Sequence, residues 1–218
     1  MRLDVFSDTI CPWCYVGKRR LERALKARPQ PDLTIRWRAF QLNPGMRADG
    51  MDRKAYVDAK FGSAERAQAI YETVRAAGLS EGIDFAFERI KRTPNTLQSH
   101  RLIRFAAARR RQNETLEALF RAYFIDGLNI GDRAVLAEVS GDAGLDRREA
   151  ADYLASDTDL ETILNEDTLA RRAGINGVPC FIFNGRYALS GAQEPEAFFQ
   201  LFDLAREDEK ARSEGAVA

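Results

Sequence analysis

The stretch Ser7-Asp8-Thr9-Ile10-Cys11-Pro12-Trp13-Cys14 decides how the rest of the chain is read. Before it, Arg2 to Phe6 is short, β-prone and apolar, the pattern of a buried strand. Within it, Pro12 suits the first turn of a helix, where a missing amide hydrogen costs nothing. After it, Val16, Arg20, Leu21, Ala24 and Leu25 recur at helical spacing until Pro29 and Pro31 stop the helix. Leu33, Ile35, Trp37 and Ala39 then alternate with Thr34, Arg36 and Arg38, a second strand closed by Asn43-Pro44-Gly45. The opening segment therefore reads as strand, helix, strand, with two cysteines at the strand-to-helix turn.

Further along, the character changes. From about Asp52 to Ala173 the chain is rich in Ala, Arg, Glu and Leu at helical periodicity. The pattern predicts helices over Arg53–Phe61, Ala64–Ala77, Asn95–Arg111, Glu114–Ile125, Arg133–Val139, Arg147–Ala155 and Thr158–Arg172, with Gly82–Thr93 as an irregular connection. The end returns to β. Cys180–Phe183 and Arg186–Leu189 read as strands joined by Asn184-Gly185, a strong hairpin signal. A last helix, opened by Gly191-Ala192-Gln193-Glu194-Pro195, carries Phe198, Phe199, Phe202 and Leu204 on its inner face. The expected class is α/β. Residues 1–45 and 157–218 would form one discontinuous domain, interrupted by an all-helical lobe over 46–156.

Composition narrows the functional classes. In 218 residues, 33 Lys+Arg balance 33 Asp+Glu, so the chain lacks the positive excess on which binding to a phosphate backbone is built. Hydrophobic residues make up 45%, too many for a disordered tail. No run approaches the ~20 apolar residues that span a bilayer. Met1 to Asp8 carries two acids and no apolar run of export-signal length, so the expected location is the cytoplasm. There, three cysteines are poor candidates for structural disulfides, and their spacing matters more than their number.

Cys11 sits where a helix presents unpaired amide hydrogens and the positive end of its dipole, a position that favours thiolate over thiol. Cys14 lies within one turn, close enough to close a disulfide. Such a dithiol can attack a substrate disulfide through Cys11, pass through a mixed disulfide, and resolve it with Cys14. Two other readings compete. A zinc site needs four ligands, and beyond this pair the chain offers one further cysteine, Cys180, and one histidine, His100. Two inert buried cysteines are the other, weakened by the placement of the pair between strand and helix.

With Asp8 and Cys11-Pro12-Trp13-Cys14-Tyr15-Val16-Gly17, three further motifs agree in order: Trp37 to Pro44, Asn95 to Arg101, and Gly174 to Gln193. On these the chain resembles the DsbA-like thioredoxin-fold family. It looks most like the FrnE-type branch, beside the 2-hydroxychromene-2-carboxylate isomerases and kappa-class glutathione transferases. The resemblance implies a thioredoxin-like central mixed sheet flanked by helices, with the helical lobe inserted. It also implies that Val178–Pro179 is a cis peptide facing the cysteines, leaving the Val178 backbone beside Cys11 to pair with an extended peptide.

The isomerase and transferase branches carry serine where Cys11 stands and activate the thiol of glutathione instead. Both thiols are present here, which favours a thiol–disulfide oxidoreductase, a protein disulfide reductase or isomerase. A glutathione-dependent isomerase or transferase of a small aromatic substrate is the alternative. Exported DsbA oxidants place histidine between the cysteines where this chain has Trp13, which implies a less oxidising couple. No bound cofactor or metal is expected, with glutathione as a candidate redox co-substrate. The expected partners are protein or small-molecule disulfides and the thioredoxin or glutathione systems, not nucleic acid or membrane. The expected state is a monomer or homodimer.

The remaining candidates have plainer alternatives. Pro12, Trp13, Val178 and Pro179 would wall the substrate groove. Cys180 follows Pro179 and should turn to the opposite face of its strand, as a small core residue or an auxiliary thiol. His100 reads as a proton-transfer group or an ordinary helix histidine, and Asp8 as a tuner of thiol protonation or a turn cap. Tyr15 is a wall of the site or core. Asn43 and Gln193 line the groove by resemblance, or serve as turn and cap residues.

Overall fold

The computed structural model describes residues 1–215. Its main sheet has four strands in the order β2-β1-β5-β6. These are β1 (Arg2–Ser7), β2 (Thr34–Ala39), β5 (Cys180–Phe183) and β6 (Tyr187–Ser190). β1 runs parallel to β2, with Val5 opposite Trp37, and antiparallel to β5, with Val5 opposite Phe181. The parallel pair needs a crossover, supplied by α1 (Pro12–Ala27).

Alternation divides the sheet into two faces. Leu3, Val5, Phe181 and Phe183, all fully buried, look toward α1 and α9 (Ala197–Gly215). Phe181 meets Phe198 edge to face at 4.9 Å, and Phe183 meets Phe202 at 5.7 Å. Each such aromatic pair contributes about 0.5–1.5 kcal/mol beyond area burial. The opposite face is covered by Ala170 of α8 (Leu160–Arg172) and by Ile175, which form a smaller cluster with Phe40 and Cys180.

Between β2 and β5 lie α2 (Arg53–Phe61), α3 (Ala64–Ser80), α4 (Leu97–Ala107), α5 (Gln112–Phe124), α6 (Arg133–Asp142), α7 (Arg147–Ala155) and α8. With α1 and α9 the described residues hold nine helices. Tyr15 of α1 joins the two parts of the chain. Its ring stacks on Phe120 at 4.8 Å and meets Phe85 edge-on at 6.1 Å, and its hydroxyl donates to Glu117 Oε1 at 2.7 Å. Lys18, one turn on and almost fully buried, donates to Glu117 Oε2 at 2.8 Å.

The structure departs from the sequence reading mainly at element ends. Residues 82–93 hold a 3-10 turn over Phe87–Arg89 and a short strand β4 (Arg92–Thr93), paired with β3 (Met51–Asp52). Such two-residue pairing leaves no periodicity to read. α4 is shorter at both ends than predicted. Asn95 is used as a cap, its Oδ1 accepting from Leu97 N–H at 2.9 Å, and Arg110 turns left-handed at φ 56°. The hairpin turn also takes in Arg186, whose N–H donates to Phe183 O at 2.9 Å, so β6 starts at Tyr187. The last helix begins at Ala197, after Glu194 and Pro195 have formed turns.

Arg101 of α4 is fully buried and binds the end of α7. Its guanidinium donates to the carbonyls of Tyr153 (2.9 Å), Leu154 (3.2 Å), Ser156 (2.7 Å) and Thr158 (2.9 Å). Replacement by a methionine of similar length would leave these acceptors unpaired. Arg101→Met should lose about 3 kcal/mol, and the melting temperature should fall by about 6–12 °C. A loss below about 1 kcal/mol in chemical denaturation would show the clamp to be dispensable.

Candidate active site

The site begins where β1 ends. Asp8 O accepts from Cys11 N–H at 3.0 Å, and Cys11 O accepts from Cys14 N–H at 3.0 Å, so the loop is wound tightly into the helix. Cys11 is the N-cap of α1, with extended backbone (φ −93°, ψ 110°), and its side chain caps no amide of its own helix. Pro12 occupies the first helical position, as its lack of an N–H allows. All three cysteines are free thiols.

The two sulfurs have different surroundings. Cys11 keeps 5% of its surface exposed, beside half-buried Pro12, Trp13 and Val178, whereas Cys14 keeps none. Cys11 Sγ lies 3.6 Å from the carbonyl oxygen of Val178, and the Val178–Pro179 bond is cis. Burial pushes the Cys14 thiol well above the ordinary thiol range, and the adjacent Cys11 sulfur pushes it further. The Ser7 hydroxyl and the Asp8 backbone act weakly the other way.

A buried polar group backs the dithiol. Asp8 is fully buried and its Oδ2 accepts from Leu42 N–H at 2.6 Å. Its Oδ1 has no hydrogen bond and faces His100 Nε2 of α4, also without one, at 3.5 Å. His100 is 3% exposed. Next to this pair, Thr9 Oγ1 and Ser99 Oγ share a hydrogen bond of 2.7 Å. Residues some ninety positions apart are thus brought behind one helix turn.

The fold gathers Asp8, Cys11, Pro12, Trp13, Cys14, His100, Val178 and Pro179 at this place. It sends the other candidates elsewhere. Tyr15 is core, stacked on Phe120. Asn43 Nδ2 donates to the Tyr56 hydroxyl at 3.2 Å. Gln193 is exposed and its Nε2 closes a turn on Ser190 O at 2.9 Å. Cys180 lies in the cluster on the opposite face of the sheet, where burial raises its thiol pKa.

Two residues of this neighbourhood have no place among the sequence candidates. Ser7 continues the Leu3-Val5 alternation onto the buried face, and a polar residue there was the available signal. Gly17 follows Cys14 by three positions on one helix face. A Cβ on it would stand 2.8 Å from Pro179 Cγ and 3.3 Å from Phe181 Cζ, so the bare Cα lets α1 lie against the cis-proline loop.

Comparison with known proteins places the fold. The sequence profile of the DSBA-like thioredoxin domain matches residues 2–203. A "probable DsbA oxidoreductase" from Streptomyces coelicolor is 34% identical, with a TM-score of 0.87 over 95% of this chain and 90% of that one. A 2-hydroxychromene-2-carboxylate isomerase shares the fold at 17% identity and a TM-score of 0.67, over the full length of both chains. So does a cytosolic disulfide reductase, DsbM, of Pseudomonas aeruginosa solved with GSH, at 18% identity and a TM-score of 0.64 over 98% of this chain and 100% of that one. The architecture is the thioredoxin-like DsbA fold, as the motifs implied. No helix among the described residues is long and apolar enough to cross a membrane.

Two measurements test this geometry. Gly17→Ala should destabilise the protein by about 1–3 kcal/mol, because Pro179 must retreat from the new methyl group. An unchanged denaturation midpoint would show that the loop yields freely. In a Cys11→Ser, Cys180→Ser protein, the thiolate absorbance of Cys14 should develop well above the ordinary thiol pKa of about 8.5. Burial remains as the main cause after Cys11 is gone. A midpoint at the ordinary value would contradict the sealed position of Cys14.

Proposed function

The chain belongs to the DSBA-like thioredoxin domain family, and from that premise we propose that it is a thiol–disulfide oxidoreductase working through the Cys11–Cys14 dithiol. The observation that carries the reading is the inequality of the two sulfurs. One is at the mouth of a helix beside the Val178 backbone, and the other is sealed behind it with its proton retained.

The chemistry follows from that inequality. The Cys11 sulfur attacks one sulfur of a substrate disulfide. The substrate S–S bond breaks, the departing thiolate takes a proton from water, and a Cys11–substrate mixed disulfide remains. Cys14 then gives up its proton and attacks Cys11 Sγ. The second substrate thiolate leaves, and the protein holds the Cys11–Cys14 disulfide. Substrate has gained two electrons and the protein has lost two. Asp8, whose backbone adjoins Cys14, and His100 behind it offer titratable groups for the Cys14 proton. Pro12, Trp13 and the Val178 main chain form the surface on which an extended peptide would lie.

The direction proposed is reduction or isomerisation in the cytoplasm, with glutathione or thioredoxin returning the two electrons. The absence of histidine between the cysteines supports this direction, and a cytosolic reductase of the same fold is consistent with it. The substrates are protein or small-molecule disulfides. A glutathione-dependent isomerase or transferase is the second reading, favoured by the shared fold of the 2-hydroxychromene-2-carboxylate isomerase. Asn43 and Gln193, which that reading would place in the groove, are instead bonded to Tyr56 and Ser190.

An insulin-reduction assay separates the readings. Cys11→Ser should lose more than about a hundredfold in rate, the scale expected when a nucleophile is removed. Cys14→Ser should complete the first step and accumulate a mixed disulfide visible by mass spectrometry. Equal rates for wild type and Cys11→Ser would sink the proposal. Glutathione-dependent turnover of an aromatic substrate that survives Cys14→Ala would establish the second reading.

A further inference from the structure

A cavity of about 520 Å³ opens on the far side of β2, walled by α4, the start of α5 and Glu166 of α8. That volume lies in the range of small-molecule sites, roughly 300–1,000 Å³. Ser7 and His100, the two side chains that back the dithiol, are among its lining residues. Both are 3% exposed; the Ser7 hydroxyl acts on Cys14, and His100 Nε2 faces Asp8 Oδ1 at 3.5 Å.

The wall beside these residues is main chain. β2 is an edge strand, and successive residues of a strand turn their amide groups alternately to either side. Ala39 N–H is covered by Glu166 Oε2 at 2.7 Å. Trp37 N–H and C=O are both covered by the Gln112 amide at 3.3 Å. Ile35 is next in this series, turned the same way, and it borders the open cavity with no such plug among the described residues.

The lining is mixed in character. Ile35 and Ala107, with the narrow exposed edges of buried Trp37 and Ile103, give an apolar wall. Four arginines reach the cavity against two glutamates. Arg38 is paired with Glu166 at 2.8 Å and Arg104 with Asp159 at 2.7 Å. Arg36 and Arg110 make no ion pair among the described residues. Arg110 lies toward the cavity from a left-handed position (φ 56°) that costs an arginine about 1 kcal/mol. A bare inorganic anion would leave this apolar wall uncovered, and a neutral apolar molecule would leave the guanidiniums and the Ile35 amide unanswered.

We infer that this cavity is a second binding site, for a small organic acid with an aromatic or branched apolar body. The carboxylate lies against Arg36, Arg110 and the Ile35 amide, and the body against Trp37 and Ile103. Occupancy covers the little exposed surface that Ser7 and His100 retain, so the ligand slows the departure of the Cys14 proton and with it the resolving step. This second part rests on the oxidoreductase reading; the binding itself does not.

Phenylacetate is a suitable probe. The chain has two tryptophans, so Trp13→Phe leaves Trp37 as the sole reporter, inside the cavity. Its emission should change saturably with phenylacetate at constant ionic strength. Phenylacetamide and inorganic phosphate should each bind at least about tenfold more weakly, a difference of about 1.4 kcal/mol. The Arg36→Gln, Arg110→Gln double variant should lose a similar factor for phenylacetate. Absence of saturation, or equal response to all three compounds, overturns the site. In the unmodified protein, saturating phenylacetate should slow decay of a preformed mixed disulfide at least about threefold, without slowing its formation. Binding with unchanged decay overturns the coupling. Failure to form any mixed disulfide counts against the oxidoreductase reading alone, since the fluorescence titration is independent of it.

Discussion

The burial of Cys14 behind Cys11 in the first turn of α1 is the constraint on which the site depends. A thiol with no solvent contact is held neutral, because ionising it would place a charge where water cannot reach. One residue-turn away, Cys11 keeps a small exposed edge against the Val178 carbonyl. Two chemically identical side chains are thus made unlike by a displacement of a few ångströms. The proposed division into attacking and resolving roles rests on that difference in burial.

Holding that turn in place draws on much of the molecule. From the cleft side, Gly17 allows the helix to touch Pro179, whose own carbonyl is fixed by Gly191 N–H at 2.8 Å. From the inserted helices, Tyr15 and Lys18 reach Phe120 and Glu117. Burial alone would raise the Glu117 carboxyl, but Lys18, with Tyr15 and Arg19, holds it below the usual carboxylate range. An ion pair with one partner buried and the other half-buried is a weak source of net stability and a stronger source of register, since removing Glu117 strands the buried Lys18 ammonium. The α1 turn is therefore fixed from both sides by contacts that tolerate little sliding.

Polar groups behind the dithiol cost stability. Asp8 Oδ1 and His100 Nε2 lack hydrogen bonds within the chain and face each other at 3.5 Å, whereas most buried polar atoms of folded proteins are paired. Such local conflict is typical of places where chemistry outranks stability. It also links the dithiol to the cavity at the β2 edge, because His100 and Ser7 belong to both.

The elements that determine the local chemistry could be read from the sequence. Pro12 with its flanking periodicities set the strand-to-helix turn, and Asn184-Gly185 set the hairpin, because each depends on neighbours a few positions away. The family motifs pointed to the Val178–Pro179 turn. Element ends were less legible: Asn95 became a cap and Arg110 a left-handed stop, choices made by packing among α4, α5 and the β2 edge. The β3–β4 pairing left no trace, since two residues carry no period. The local chain thus determined the dithiol and its helix. Only the tertiary structure decided that Cys14 is sealed, that His100 faces Asp8, that Tyr15 is core, and that Asn43 and Gln193 bond elsewhere. Burial and pairing are properties of residues far apart in the chain, and no local pattern encodes them.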